Sequence, residues 1–201
     1  MDEHILLRIQ QLLAAFGKGF RKDLNSFPAR VYRSQDSALF IQDFSGGASE
    51  AELANVMQSI LFNLGSFNNH LKAWAEKRGI SSESVYNYLR RSFDVCVIMD
   101  LYNREKHVSL DRPGWSGRKP SLGRVRSVLQ MRTKPKKNST VVVTMGVNGQ
   151  PVAGGDGTAE VVVTAEVKDK NGNGMGDVDK YIRNTINYFE NALRDFNICQ
   201  S

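Results

Sequence analysis

Apolar residues recur at three- and four-residue spacings over three stretches in the first half of the chain, and each stretch predicts a helix. The first runs from about Asp2 to about Asp23, with Ile5, Leu6, Ile9, Leu12, Leu13, Phe16 and Phe20 along one side. Residues 29–48, after Pro28, read either as a short strand around SALFIQDF or as a buried connection that Gly46-Gly47 closes. A second helix begins at a capping box, Ser49 with Glu52 three residues on, carries Met57, Ile60, Leu61, Leu64, Phe67, Leu71 and Trp74, and stops at Gly79. A third begins after Ser81-Ser82 and carries Val85, Leu89, Phe93, Cys96, Val97 and Leu101. At 1.5 Å per residue the last two each span about 30 Å or more, enough for an antiparallel hairpin.

Beyond residue 107 the period changes. Pro113-Gly114, Gly117 and Pro120 break helix, and RVRSVLQMRT (124–133), STVVVTMGV (139–147) and TAEVVVTAEV (158–167) are β-branched and partly alternating. Asn148-Gly149 is a hairpin turn signal between the last two. A helical period returns from about Val178 to Phe196, with Tyr181, Ile182, Ile186, Phe189, Leu193 and Phe196 as its inner stripe. The expected fold is α+β: one domain over residues 1–201, a bundle of about four helices with a small antiparallel sheet inserted before the last. Residues 1–110 supply the helical core, 111–170 the basic loop and β insertion, and 171–201 a helix that returns to the core.

At 201 residues the chain can bury about two-thirds of its unfolded surface without external staples. Its two cysteines, Cys96 and Cys199, form no disulfide framework or zinc pattern, which points to a reducing, cytoplasmic setting. The N-terminal stretch opens with two acids and interrupts its apolar run at Arg8, Gln10 and Gln11, unlike a signal peptide. No window approaches the roughly 20 apolar residues of a membrane span, so no membrane partner is expected.

The net charge of +6 is unevenly spread. Arg112, Arg118, Lys119, Arg124, Arg126, Arg132, Lys134, Lys136 and Lys137 fall in one segment without a single acid, and the rest of the chain is slightly acidic. A localised basic run is the footprint of a polyanion such as RNA. The competing reading is a solvated loop whose cations pair with acids of the same chain.

The segment DLYNREKH, residues 100–107, closes the third predicted helix with a polar group. On a helix, Asp100, Asn103 and His107 share one face, with Arg104 and Lys106 beside it. A histidine among cations and amides can hold a phosphate or move a proton near neutral pH. An Asp100–Arg104 ion pair, with His107 capping the helix end, would explain the same residues structurally.

The Asp-x-x-Asn-x-x-Lys-His run resembles a motif near the end of a long helix in bacterial proteins with HEPN-like helical cores. Asn103-x-x-x-His107 matches the second half of the R-N-x-x-x-H motif of HEPN ribonucleases, while Tyr102 stands where the motif has Arg. The resemblance covers roughly residues 50–110 and the last helix. It implies a bundle that pairs as a homodimer in a defence or toxin setting, and metal-independent endoribonuclease chemistry. In that chemistry His107 is the acid or base, Asn103 orients it or binds phosphate, and Arg104 or Lys106 balances charge, beside Asp100 on the polar face. The alternative function is a non-catalytic nucleic-acid- or protein-binding module using residues 112–137.

Three further features carry weaker signals. DKNGNGMGDVD places Asp169, Asn171, Asn173, Gly174 and Asp177 at calcium-loop positions, but Lys180 stands where the bidentate Glu belongs, so calcium is not expected. His70, in FNNHLKAW, could approach His107 across an antiparallel hairpin or be a hydrogen-bonded residue at a core margin. GGDG at 154–157 lacks the Lys-Ser/Thr of a phosphate loop, and no cofactor is expected.

Overall fold

The computed structural model describes residues 21–106 and 114–196, together with Leu7 and Gln11, both helical. Most of the first expected helix therefore lies outside the described residues. Its expected end is corrected: Arg21–Asp23 is strand β1, followed by a 3-10 turn at Leu24–Ser26. The apolar stripe stops at Phe20, so Arg21, Lys22 and Asp23 add nothing to a helical face, and their backbone pairs with a strand at Thr158–Thr164 instead. Next comes a hairpin of β2 (Arg30–Arg33) and β3 (Ala38–Ile41), which settles the ambiguous 29–48 stretch as strand pairing.

Helix α1 is Glu50–Lys77. Its capping box forms as expected, with the Ser49 hydroxyl accepting the Glu52 N–H at 3.2 Å and the Glu52 carboxylate accepting the Ser49 N–H at 2.7 Å. Gly79, at φ +72°, ends it, and the Ile80 N–H returns to the Ala75 carbonyl at 2.9 Å in a Schellman closure. The expected third helix is two: α2 at Ser82–Arg90 and α3 at Phe93–Lys106. Ser92 stands at the break, its hydroxyl accepting the Val95 N–H at 3.4 Å. Residues Val95 through Tyr102 of α3 are all buried, so α3 is enclosed on every side and has no single stripe to set its boundary against α2.

The remaining strands are β4 (Ser121–Leu122), β5 (Arg126–Arg132), β6 (Val141–Met145), β7 (Pro151–Gly155), β8 (Thr158–Thr164), β9 (Glu166–Lys168) and β10 (Gly174–Asp177), and helix α4 is Val178–Asp195. The chain is thus mixed α+β. The described strands form four small antiparallel sheets, ordered β1-β8-β5, β10-β9-β4, β2-β3 and β6-β7. Strand is therefore not confined to residues 111–170. Asn148-Gly149 turns β6 into β7 and not into β8, because PVAGG makes a short edge strand with Pro151 at its first position, where no ladder N–H is missed.

Val161, Val162 and Val163 of β8 are buried on both faces. Val162 and Val163 join the main core with α1, α3 and α4, while Val161 meets Leu24, Phe27, Leu129 and Val143. Phe67 of α1 and Phe189 of α4 stack with centroids 4.6 Å apart. No helix among the described residues is long and apolar enough to cross a membrane.

Candidate functional site

The polar face expected at 100–107 is divided. Asp100 is only 4% exposed. Its Oδ1 accepts the Trp115 N–H at 2.6 Å, and its Oδ2 accepts the Ser116 N–H at 2.8 Å and the Ser116 hydroxyl at 2.6 Å. A buried carboxylate needs that many donors. Gly114 leaves room for it, since a Cβ there would stand 2.7–2.9 Å from the carboxylate. Asp100 therefore ties the loop after α3 to the helix, and no Asp100–Arg104 ion pair occurs among the described residues.

Asn103 is half-buried, while Arg104 and Lys106 are exposed, with the Lys106 ammonium 5.8 Å from the Tyr102 ring centroid. His107 and Arg112 lie outside the described residues. Tyr102, where the HEPN motif has Arg, is buried at 7% exposure and meets Phe62 edge-on at 5.5 Å.

The loop that Asp100 holds carries Trp115 to a second group of side chains. Trp115 packs edge-to-face on Tyr86 of α2 with centroids 4.8 Å apart. Lys72 of α1 lies 5.0 Å from the Tyr86 centroid and 6.0 Å from that of Trp115. The Arg90 guanidinium, one helical turn beyond Tyr86, lies 5.1 and 5.9 Å from the same two rings. Neither cation has a carboxylate at ion-pair distance among the described residues. Each cation over an aromatic face is attracted by the ring's quadrupole and held near it. The arrangement suits an anion with an adjacent flat ring.

The basic segment does not form one arm. Arg124 pairs with Glu50 at 3.2 Å, Arg126 with Asp177 at 3.7 Å, Arg132 with Asp179 at 3.2 Å and Lys136 with Asp156 at 2.6 Å. Lys136, with the Thr140 N–H and the Ser139 hydroxyl, holds the Asp156 carboxyl below its ordinary range. Arg118, Lys119, Lys134 and Lys137 are exposed and have no such partner among the described residues. Arg118 and Lys119 follow Trp115 in its loop, whereas Lys134 and Lys137 lie past the far end of β5.

A buried network forms around Asp179, in the first turn of α4. Its Oδ2 meets the guanidinium of Arg132 at 3.2 Å and that of Arg183 at 3.1 Å, and accepts from Gln130 Nε2 at 3.1 Å; the Thr164 hydroxyl donates to Oδ1 at 3.3 Å. Both arginines also donate to the Gln130 side-chain amide oxygen, Oε1. Alternation along β5 puts Gln130 and Arg132 on one face of the sheet, toward α4. The network locks α4 onto the sheet and occupies Arg132, which therefore does not present its charge to a ligand.

The calcium-like loop is the β9–β10 turn. Asp169 Oδ1 accepts the N–H groups of Asn171 at 2.8 Å and Asn173 at 2.9 Å, and the Asn173 backbone N–H is the main cause of its lowered carboxyl pKa. Asp177 stands at the end of β10 and pairs with Arg126; it is the N-cap of α4 by position, and its side chain makes no cap hydrogen bond. Among the described residues no three His, Cys, Asp or Glu gather as a metal site. His70 is half-buried and has a partner, and the Cys96 thiol is pushed up by burial.

Lys72, Tyr86 and Arg90 were not singled out from sequence. The i,i+4 spacing of Tyr86 and Arg90 was the one visible signal; Lys72 and Trp115 join them only through the fold. No protein-family model, curated protein or solved structure matches the chain.

Proposed function

We propose that the chain is a non-catalytic binding protein for single-stranded nucleic acid, with its site at Lys72, Tyr86, Arg90 and Trp115 and its phosphate track continuing over Arg118 and Lys119. The observation that carries this reading is the pair of cations, unopposed by any described carboxylate, over two aromatic rings. Base stacking on aromatic residues contributes about 1–3 kcal/mol per base, and the cations supply the sequence-independent part of the affinity.

Anisotropy titrations with labelled single-stranded RNA test it. Lys72→Glu and Arg90→Glu should each weaken binding about tenfold or more, because each turns a phosphate contact into a repulsion. Arg124→Glu and Arg126→Glu should change it by about threefold at most, since these side chains face Glu50 and Asp177. Four contacts predict that log affinity falls with log salt at a slope of about −3. The reading fails if wild type does not bind at low salt, or if all four reversals act alike.

One observation favours a second reading, HEPN-like endoribonuclease action by a homodimer: Asn103, Arg104 and Lys106 remain at the accessible end of α3. It requires RNA cleavage in EDTA by wild type and its loss in His107→Ala. Equal cleavage by both proteins, or none by either, removes it.

A further inference from the structure

We propose that Asp100, which cannot touch a ligand from its buried place in α3, is the positioning residue of the Trp115 site. The inference rests on the binding reading above and adds to it the part that fixes the site's geometry. Three donors converge on this one carboxylate, two of them consecutive backbone N–H groups. Only an acceptor-only side chain satisfies them all; an asparagine there would turn an N–H toward at least one donor. The anchor extends outward, because the Ser116 oxygen that donates to Asp100 also accepts the Arg118 N–H at 3.2 Å.

The far end of the loop is fixed as well. The Arg118 carbonyl accepts the Lys170 N–H at 3.1 Å, and Pro120 is buried. Between them Lys119 sits at φ +50°, a conformation unfavourable for a residue with a Cβ and doubly so before proline. A short loop with a buried charged anchor at one end and a strained residue at the other is held in a single arrangement. That arrangement places the Trp115 ring against Tyr86, between the reach of Lys72 and Arg90.

A double-mutant cycle on single-stranded RNA binding tests the proposal. Asp100→Asn should weaken binding about tenfold, the equivalent of one charge-assisted hydrogen bond lost from the anchor. In a Trp115→Ala background the same change should cost less than about twofold, because there is no ring left to position. Equal losses in both backgrounds would mean that Asp100 supports the fold at large, and would overturn the proposal. Ser116→Ala, which removes one donor and leaves the backbone bonds, should give the same pattern at about threefold and serves if Asp100→Asn does not fold.

A second readout needs no ligand. Trp115 emission, taken as the difference between each protein and its Trp115→Phe counterpart, should move to longer wavelength and quench more readily with acrylamide in Asp100→Asn. Unchanged emission refutes the positioning role even if RNA binds. Absence of RNA binding by wild type, with the emission shift present, would sink the binding reading and leave the anchor standing.

Discussion

Gly65→Ala is expected to destabilise the protein by about 2 kcal/mol, although alanine is the better helix former by about 1 kcal/mol. A Cβ at this position of α1 would overlap the body of the Tyr102 ring. The ring is buried against Phe62 and the overlap falls on its inner carbons, so no flexible tip can move aside. Overpacking of this kind costs about 1–3 kcal/mol and more where the neighbour cannot yield. Urea unfolding should show a lower midpoint at unchanged slope. Tyr102→Ala opens a cavity of its own at about 3 kcal/mol or more, but the two losses should not add, since the new methyl occupies part of the vacated space. A Gly65→Ala protein as stable as wild type would mean that the two helices do not approach this closely.

Asp179→Ala should cost about 2–4 kcal/mol. It leaves two guanidiniums facing each other, with the Gln130 amide and Thr164 hydroxyl deprived of their acceptor. Breaking a buried pair from one side costs about 3–5 kcal/mol, and the lower range applies because Arg132 and Arg183 keep 30% and 23% of their side-chain exposure. Asp177→Ala, two residues away, should stay within about 0.5 kcal/mol, because its pair with Arg126 is more than half exposed on both sides and it makes no cap hydrogen bond. Chemical denaturation of the two variants side by side would show the contrast, and equal losses would contradict it.

Helix α1 was legible because its signals are local: a capping box, a stripe and a terminating glycine. The last helix was legible for the same reason. The α2–α3 break was hidden because α3 is apolar all round and its pattern merges with the stripe before it. Strand β7 has too few β-branched residues to register, and β1 follows directly on a helical pattern.

At the site, DLYNREKH presented Asp100 as one member of a polar face; burial makes it the anchor of a loop fourteen or more residues further on. Arg124, Arg126, Arg132 and Lys136 belong to a conspicuous charge run, yet their partners Glu50, Asp177, Asp179 and Asp156 are scattered along the chain. Local charge density was visible, but its neutralisation is a property of the fold. Tyr102, another member of the same segment, packs on α1 beside Phe62 and Gly65 instead of facing solvent.

The pairing of Arg21 with Val162 sets an order of events during synthesis. Strand β1 is synthesised well before β8, its one sheet neighbour among the described residues. The helices α1, α2 and α3 can associate while the chain is still growing, because their contacts are near in sequence. The three-stranded sheet cannot close until β8 has emerged, and until then β1 and β5 each present an unsatisfied edge. Closing so long a loop late is expected to make sheet completion slow and exposed to misassembly, so a chain arrested before residue 158 should hold helical structure with strand β1 still unpaired.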